Sequence, residues 1–342
     1  MEQPLVVVFG EAVVDLFSDN TSSLGGTGFN AAFHLHQIGR HLDFRAELVT
    51  RVGNDEYGER IRDLFSMGKL IQVHPYMPTG VLYIDISTGD TIGKAEERTP
   101  IPWEGFDSGY LLREAAIDCK AVIFGTIAQS IPQMKVALND FMERAQNAIR
   151  LYDLNLRTND SGGSLFETKT VIESIAAATI VKMNVAELVA LSKMVQEDCG
   201  IEFGVGHSLL DDFVPDDLVH ECVDMIQPLI EKKILVLTAG SKGTSVYRNG
   251  KERFRRKPFW KGVKWNEHSK PAGAGDACTA GLLAGFISGW SIEDSIDLAN
   301  IMGAFVSSQP TASPIISDEV VDFLQLKACF SNNNNIKGNN HG

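Results

Sequence analysis

The 342-residue chain contains no Cys-x-x-Cys pair, no His-Glu-x-x-His and no G-x-x-x-x-G-K-[ST]. Its five cysteines (Cys119, Cys199, Cys222, Cys278, Cys329) are odd in number and scattered, which argues against a disulfide framework or a zinc site and for a reducing compartment. The missing phosphate loop removes the P-loop nucleotidases, and the histidines show no metal-ligand spacing. No apolar run reaches the length of a membrane span. Met1-Glu2-Gln3-Pro4 has no basic n-region and the apolar run behind it is too short for a signal peptide, so a cytoplasmic location is expected. Positive charge is scarce, with 31 Lys and Arg against 44 Asp and Glu, a formal net charge of −13. Such a surface repels nucleic acid and acidic membranes, and neither is expected as a partner. Polyphosphates stay admissible, because a helix N-terminus attracts an anion locally whatever the total charge.

What is present is an ordinary globular composition, 44% hydrophobic and 22% charged, on a chain long enough for a large core. Leu5–Phe9 is a continuous apolar run closed by Gly10, the pattern of a strand buried on both faces. Strand-like and helix-like segments then alternate: a helix over Ala31–Gly39, a strand over Glu47–Val52 and a helix over Glu56–Met67. The alternation returns from Ala121 with strands at Val122–Phe124, Arg150–Asp153, Thr179–Val181 and Ile234–Leu237, and ends in helices after basic turns through Lys264. This order implies a mainly parallel sheet with helices on both faces, binding ligands at the carboxyl ends of its strands. Val81–Ile86 and Thr91–Glu96, joined at Thr88-Gly89-Asp90, break the alternation and read as a β-hairpin flap outside that sheet. The Asn- and Gly-rich stretch 331–342 is expected to be disordered.

One stretch organises the rest. Lys270-Pro271-Ala272-Gly273-Ala274-Gly275-Asp276, followed by the apolar run Ala277–Gly289, reads as a tight loop opening a buried helix. Small residues leave backbone N–H groups open and the helix macrodipole adds positive potential, so Gly273, Ala274, Gly275 and Asp276 are candidates for a phosphate cradle with a carboxylate base. Asp276 as a plain helix cap is the competing reading. Gly26-Thr27-Gly28-Phe29-Asn30-Ala31 fits the loose G-x-G-x-x-A fingerprint, but a polar loop rather than a strand leads into it, which counts against NAD binding.

Gly25-Gly26-Thr27-Gly28-Phe29-Asn30-Ala31-Ala32, ending at Ile38-Gly39, resembles the amino-terminal signature of the ribokinase-like (PfkB) carbohydrate kinases, and Lys270–Ala280 resembles their carboxy-terminal signature. Asp153-Leu154-Asn155-Leu156-Arg157 is similar to the Asp-x-Asn-x-Arg of fructokinases and 2-keto-3-deoxygluconate kinases, and Asn184-Val185-Ala186-Glu187 to the family's Asn-x-x-Glu. The resemblance covers about residues 5–328. It implies a ribokinase-like α/β fold, a doubly wound, mainly parallel sheet flanked by helices with a small β lid. One kinase domain over 1–330 would carry that lid at about 12–24 and 79–98.

The resemblance also implies roles. Asp276 would accept the proton of a sugar hydroxyl attacking the γ-phosphate of ATP; a helix N-terminus is expected to lower its pKa, which a loose phosphoryl transfer tolerates. The Ala274, Gly275 and Asp276 N–H groups would hold the phosphoryl oxygens. Asp15, Gly25, Gly26, Asn30 and Arg157 would bind the sugar. Asn184 and Glu187 would organise Mg²⁺ through water, and Thr238, Gly240, Gly243 and Asn300 would line the nucleotide pocket. The lid would exclude water and could pair two subunits in a homodimer. Lys270-Pro271-Ala272 departs from the family's usual Asp-Thr-Thr, which puts a monovalent-cation site in question. Gly10-Glu11 and Asp153–Arg157 favour a fructokinase-like kinase, with 2-keto-3-deoxygluconate kinase as the near alternative and a nucleoside kinase behind it. A non-catalytic sugar- or nucleotide-binding regulator is the alternative from another class.

Overall fold

The computed structural model describes residues 3–65, 69–84, 102, 106–156, 166–198, 214–258 and 272–338. Arg157, Lys270, Pro271, the hairpin beyond residue 84 and residues 339–342 lie outside the described residues.

Among the described residues, nine strands form one sheet: β1 (Leu5–Phe9), β4 (Arg45–Gly53), β5 (Ile71–His74), β7 (Cys119–Gly125), β8 (Ile149–Asp153), β9 (Ile180–Asn184), β10 (Ile234–Thr238), β11 (Thr244–Arg248) and β12 (Lys251–Arg256). The spatial order is β12-β11-β10-β9-β8-β7-β1-β4-β5, parallel from β5 through β10, with β11 and β12 added as an antiparallel hairpin. The chain reverses its direction of travel across the sheet at β1, which pairs with both β4 and β7. Crevices beyond the carboxyl ends of such strands are where α/β sheets place ligands.

The apolar run of β1 supplies both faces of the sheet. Leu5, Val7 and Phe9 enter one core and Val6 and Val8 the other, as the two-residue period of a strand requires. The first core is closed by α3 (Tyr110–Asp118), α5 (Pro132–Arg144), α6 (Thr168–Ala177), α7 (Val185–Asp198) and α8 (Asp216–Ile230). Across the sheet lie α1 (Thr27–Leu42), α2 (Glu56–Leu64), α9 (Ala274–Ile287), α10 (Ile292–Ser307) and α11 (Asp318–Gly338). The short α4 (Thr126–Ser130) bridges β7 and α5. α9 is apolar on every side because it runs between α1 and α10; its residues Ala277–Gly285 are all buried. Gly281 lets α10 come close, since a methyl built there would meet the Leu298 carbonyl at 2.9 Å.

A second sheet of three strands, order β3-β2-β6, holds β2 (Val13–Phe17), β3 (Ser22–Gly25) and β6 (Val81–Ile84). The first strand of the expected hairpin, Val81–Ile84, thus pairs in parallel with β2 outside the main sheet.

Three expectations are corrected. The basic segment expected as turns forms β12, an edge strand whose charged side chains stay exposed on both faces, which hides its strand character and protects the edge from pairing. A strand, β3, does lead into Gly26-Thr27-Gly28, but it belongs to the small sheet, so the dinucleotide context is still absent. α11 continues to Gly338, into the stretch expected to be disordered from 331.

Candidate active site

The site forms where β1, β8 and β9 end and α1, α7 and α9 begin. Gly10 and Gly28 make this junction possible. A Cβ on Gly28 would lie 2.5 Å from the Gly10 backbone, so the start of α1 rests directly on the end of β1. α1 opens without a side-chain cap at Gly26; instead the buried Glu11 carboxylate accepts the Thr27 N–H at 2.8 Å. An acid next to the end of β1 thus fixes the Gly-rich turn.

α9 opens at Gly273, which takes φ 78° and packs against Ala312. Asp276 is therefore not the cap; it lies in the first turn, with its carboxylate turned toward α1. Asn30 Nδ2 donates to Asp276 Oδ2 at 2.8 Å, joining the two glycine signatures across 246 residues of sequence. Asn30 is buried, and its Oδ1 has no hydrogen-bond partner among the described residues. The expectation of a lowered Asp276 pKa is also corrected. Burial pushes it up to about 7; the Asn30 hydrogen bond and Lys182 pull it back, while the Asp153 and Glu11 carboxylates push it higher. Loss of water around the carboxylate outweighs the helix end.

Asp15 lies on β2, and its carboxylate occupies the space above Gly25, where a Cβ would sit 2.2 Å from Oδ2. Burial first, and the Glu11 carboxylate second, raise its pKa to about 6. Of the residues expected to bind the sugar, Asp15 thus meets Gly25, Gly26 meets Glu11, and Asn30 meets Asp276.

Asp276 also lines a cavity of about 700 Å³. Its lining brings together Ala274, Gly275 and Asp276 with Asn184, Glu187, Thr238, Gly240, Gly243 and Asn300, while Gly273 stays behind the wall as the helix cap. Gly243, at φ 91°, lets β11 start against the Arg256 carbonyl, and Asn300 Oδ1 accepts the Thr244 hydroxyl at 2.6 Å. Small residues of α10 (Ala299, Gly303, Ala304) leave a smooth apolar wall. Room of this size beside an open helix N-terminus fits a nucleotide.

Asn184 and Glu187 form a reciprocal cap on α7. Glu187 N–H donates to Asn184 Oδ1 at 2.7 Å, and Glu187 Oε2 accepts the Asn184 N–H at 2.8 Å. Glu187 Oε1 also accepts the Leu156 N–H at 3.0 Å, tying the end of β8 to α7. The structural reading of these two residues is therefore true, and Glu187 still lines the cavity. Among the described residues no three His, Cys, Asp or Glu converge as a metal cluster. Mg²⁺ in kinase sites needs only one or two carboxylates besides phosphates and water, so Glu187, with Asn184 beside it, fits an ion held mainly by substrate phosphates and water.

Two site residues escaped the sequence reading. Lys182 Nζ, buried, donates to both oxygens of Asp153 at 3.0 Å, and the Thr279 hydroxyl donates to Asp153 Oδ2 at 2.5 Å. A lysine inside the apolar run Ile180-Val181-Lys182-Met183 was the available signal.

A buried carboxylate in the first turn of a helix, at the wall of a nucleotide-sized cavity, is what a phosphotransferase acting on an alcohol needs. The pfkB family carbohydrate kinase model matches residues 3–318, and the chain belongs to that family. A 5-dehydro-2-deoxygluconokinase of Clostridium beijerinckii is 22% identical over 303 residues, 85% of this chain and 80% of that protein. The ATP-dependent 6-phosphofructokinase isozyme 2 of Mycobacterium tuberculosis is 27% identical over 192 residues, 55% of this chain and 47% of its own. Among solved structures, fructokinase with bound ATP from Xylella fastidiosa superposes with a TM-score of 0.72 at 16% identity, covering 95% of this chain and 99% of that one. Fructokinase from Vibrio cholerae with fructose, ADP and calcium gives 0.67 at 20% identity, covering 95% and 100%. These structural likenesses establish the shared ribokinase-like fold, as expected from the sequence. No helix among the described residues is long and apolar enough to cross a membrane.

Proposed function

We propose that this carbohydrate kinase transfers the γ-phosphoryl group of ATP to a hydroxyl of a small sugar, with a fructokinase-like substrate range, as a cytoplasmic enzyme. The observation that carries this reading is Asn30. One end of its amide holds the Asp276 carboxylate at 2.8 Å, and the other end, Oδ1, is a buried acceptor without a partner among the described residues. An orphaned buried acceptor costs about 1–3 kcal/mol, and a sugar hydroxyl satisfies it. A hydroxyl donating there sets a neighbouring hydroxyl of the same sugar next to the Asp276 base.

The chemistry then follows from the chain's own groups. Asp15 and the Gly25-Gly26 turn orient the sugar. Asp276 takes the hydroxyl proton as the oxygen attacks the γ-phosphorus and the bond to the β-phosphate oxygen breaks, releasing ADP. The N–H groups of Ala274, Gly275 and Asp276 hold the equatorial oxygens of the transferring group. Thr238, Gly240, Gly243 and Asn300 hold the nucleoside. Asn184 and Glu187 would hold Mg²⁺ through water, and the ion would supply neutralising charge to the phosphates. Because Lys270 and Pro271 replace the usual residues, no monovalent cation is assigned. The resemblance to a 5-dehydro-2-deoxygluconokinase over most of the chain favours a second reading, a sugar acid whose carboxylate Arg157 would meet.

The small sheet would act as the lid, and its free edges would pair two subunits in a homodimer; Tyr83 on β6 is 43% exposed. The test is ADP release from MgATP over fructose, glucose, ribose, 2-keto-3-deoxygluconate, 5-dehydro-2-deoxygluconate, fructose phosphates and adenosine. One sugar is expected to drive turnover; ATP binding without any turnover would favour the regulator instead.

A further inference from the structure

The charged groups lining the cavity are unbalanced. Asp153, Glu187 and Asp276 are acidic, and Lys182 is the single cation among the described lining residues. A triphosphate entering that cavity brings several more negative charges. Lys182 is buried on a central strand, where an unpaired ammonium is costly, so its retention needs a reason beyond packing. Its ion pair with Asp153, both oxygens at 3.0 Å, meets the desolvation cost in part. The position of Nζ supplies the rest. A methyl group built on Gly275 would sit 3.5 Å from Nζ, which places the ammonium beside the first turn of α9. Thr279, one turn further along α9, holds the same Asp153 carboxylate.

We infer that Lys182 is a further functional residue of the transfer site: a buried cation fixed by Asp153 beside the first turn of α9, placed to stabilise charge on the phosphoryl group in flight. It acts through position, since its stem is locked in β9 and two of its N–H groups are spent on Asp153. Removing a preorganised group of this kind costs about 10²–10³-fold in kcat. ADP and the sugar each lack the group in transfer, so their affinities should change little. A lysine that only stabilises the fold would show no such split.

The inference rests on the kinase reading, so wild-type turnover with one sugar of the panel comes first; if none is turned over, that reading fails and this one is not reached. With turnover in hand, kcat, sugar KM and ADP Kd are measured for Lys182→Met, Asp153→Asn and the pair Asp153→Asn/Lys182→Met. The pair leaves no unpaired buried charge and therefore keeps the measurement available should Lys182→Met fail to fold. The pair is expected to lose at least about 10²-fold in kcat relative to wild type, and at least tenfold relative to Asp153→Asn, with sugar KM and ADP Kd within about threefold. A pair variant with the kcat of Asp153→Asn overturns the inference. So does a loss spread equally over kcat, sugar KM and ADP Kd.

Discussion

Replacing Asn30 by alanine removes the donor 2.8 Å from Asp276 Oδ2 and leaves the base with a more apolar neighbour. A hydrogen bond to a charged acceptor contributes about 1.5–3 kcal/mol, which corresponds to about one to two pH units on a titration curve. Burial already holds Asp276 at about 7, so near pH 7 about half of the wild-type enzyme carries the ionised base. In Asn30→Ala the ionised share at pH 7 falls to roughly 1–10%, and turnover falls with it. The sign is fixed: losing a bond that favours the carboxylate raises the pKa, and the acidic limb of the rate profile moves up in pH. The sugar also loses its Oδ1 acceptor, which raises KM at every pH. Steady-state ADP release from pH 5 to pH 9.5 separates the two effects. The kcat of Asn30→Ala is expected to recover toward wild type near pH 9 while KM stays high. A uniform fall in kcat with an unmoved acidic limb would refute the link between Asn30 and the base.

Further perturbations test other parts of the account. Asp276 holds its proton in the folded state up to about pH 7 but in the unfolded chain only to its ordinary 3.8, so it lowers stability as pH rises between those values. Asp276→Asn should therefore raise the thermal midpoint at pH 8 by an amount equivalent to about 2–4 kcal/mol and leave it unchanged near pH 4, as scanning calorimetry would show. Thr279→Val removes a donor to the buried Asp153 and should cost about 1–3 kcal/mol in urea unfolding. Gly28→Ala forces a methyl to within 2.5 Å of the Gly10 backbone and should destabilise the fold by about 1–3 kcal/mol, with a larger loss of sugar affinity than of ADP affinity. Glu187→Gln weakens the carboxylate nearest the Asn184 cap, and half-maximal activity should require severalfold more Mg²⁺ in a titration at fixed ATP.

The glycine signatures were legible because they obey local rules: open N–H groups at a helix start and glycines where two backbones meet. That is why Asp276 and Gly275 could be named from the residues themselves, whereas Asn30 was named only through the family resemblance. The central strands were legible for a similar reason, each being a short apolar run buried on both faces. β12 was not, since an edge strand with charged residues on both faces carries no two-residue hydrophobic period. The direction of the Asp276 pKa was hidden because local sequence reports the helix end but not the burial that overrides it. Asp153 and Lys182 sit 29 residues apart on neighbouring strands, so their pairing is a product of the β8–β9 register rather than of any motif.

The central claim is that Asp276 removes the sugar hydroxyl proton during transfer from ATP. The direct measurement is sugar-phosphate formation, followed by ³¹P NMR, for wild type and Asp276→Asn with the sugar that the panel identifies. Wild type should convert ATP and sugar to ADP and sugar phosphate, and Asp276→Asn should bind both substrates yet form product at least about 10³-fold more slowly. Product formed by Asp276→Asn at a rate near wild type would contradict the account.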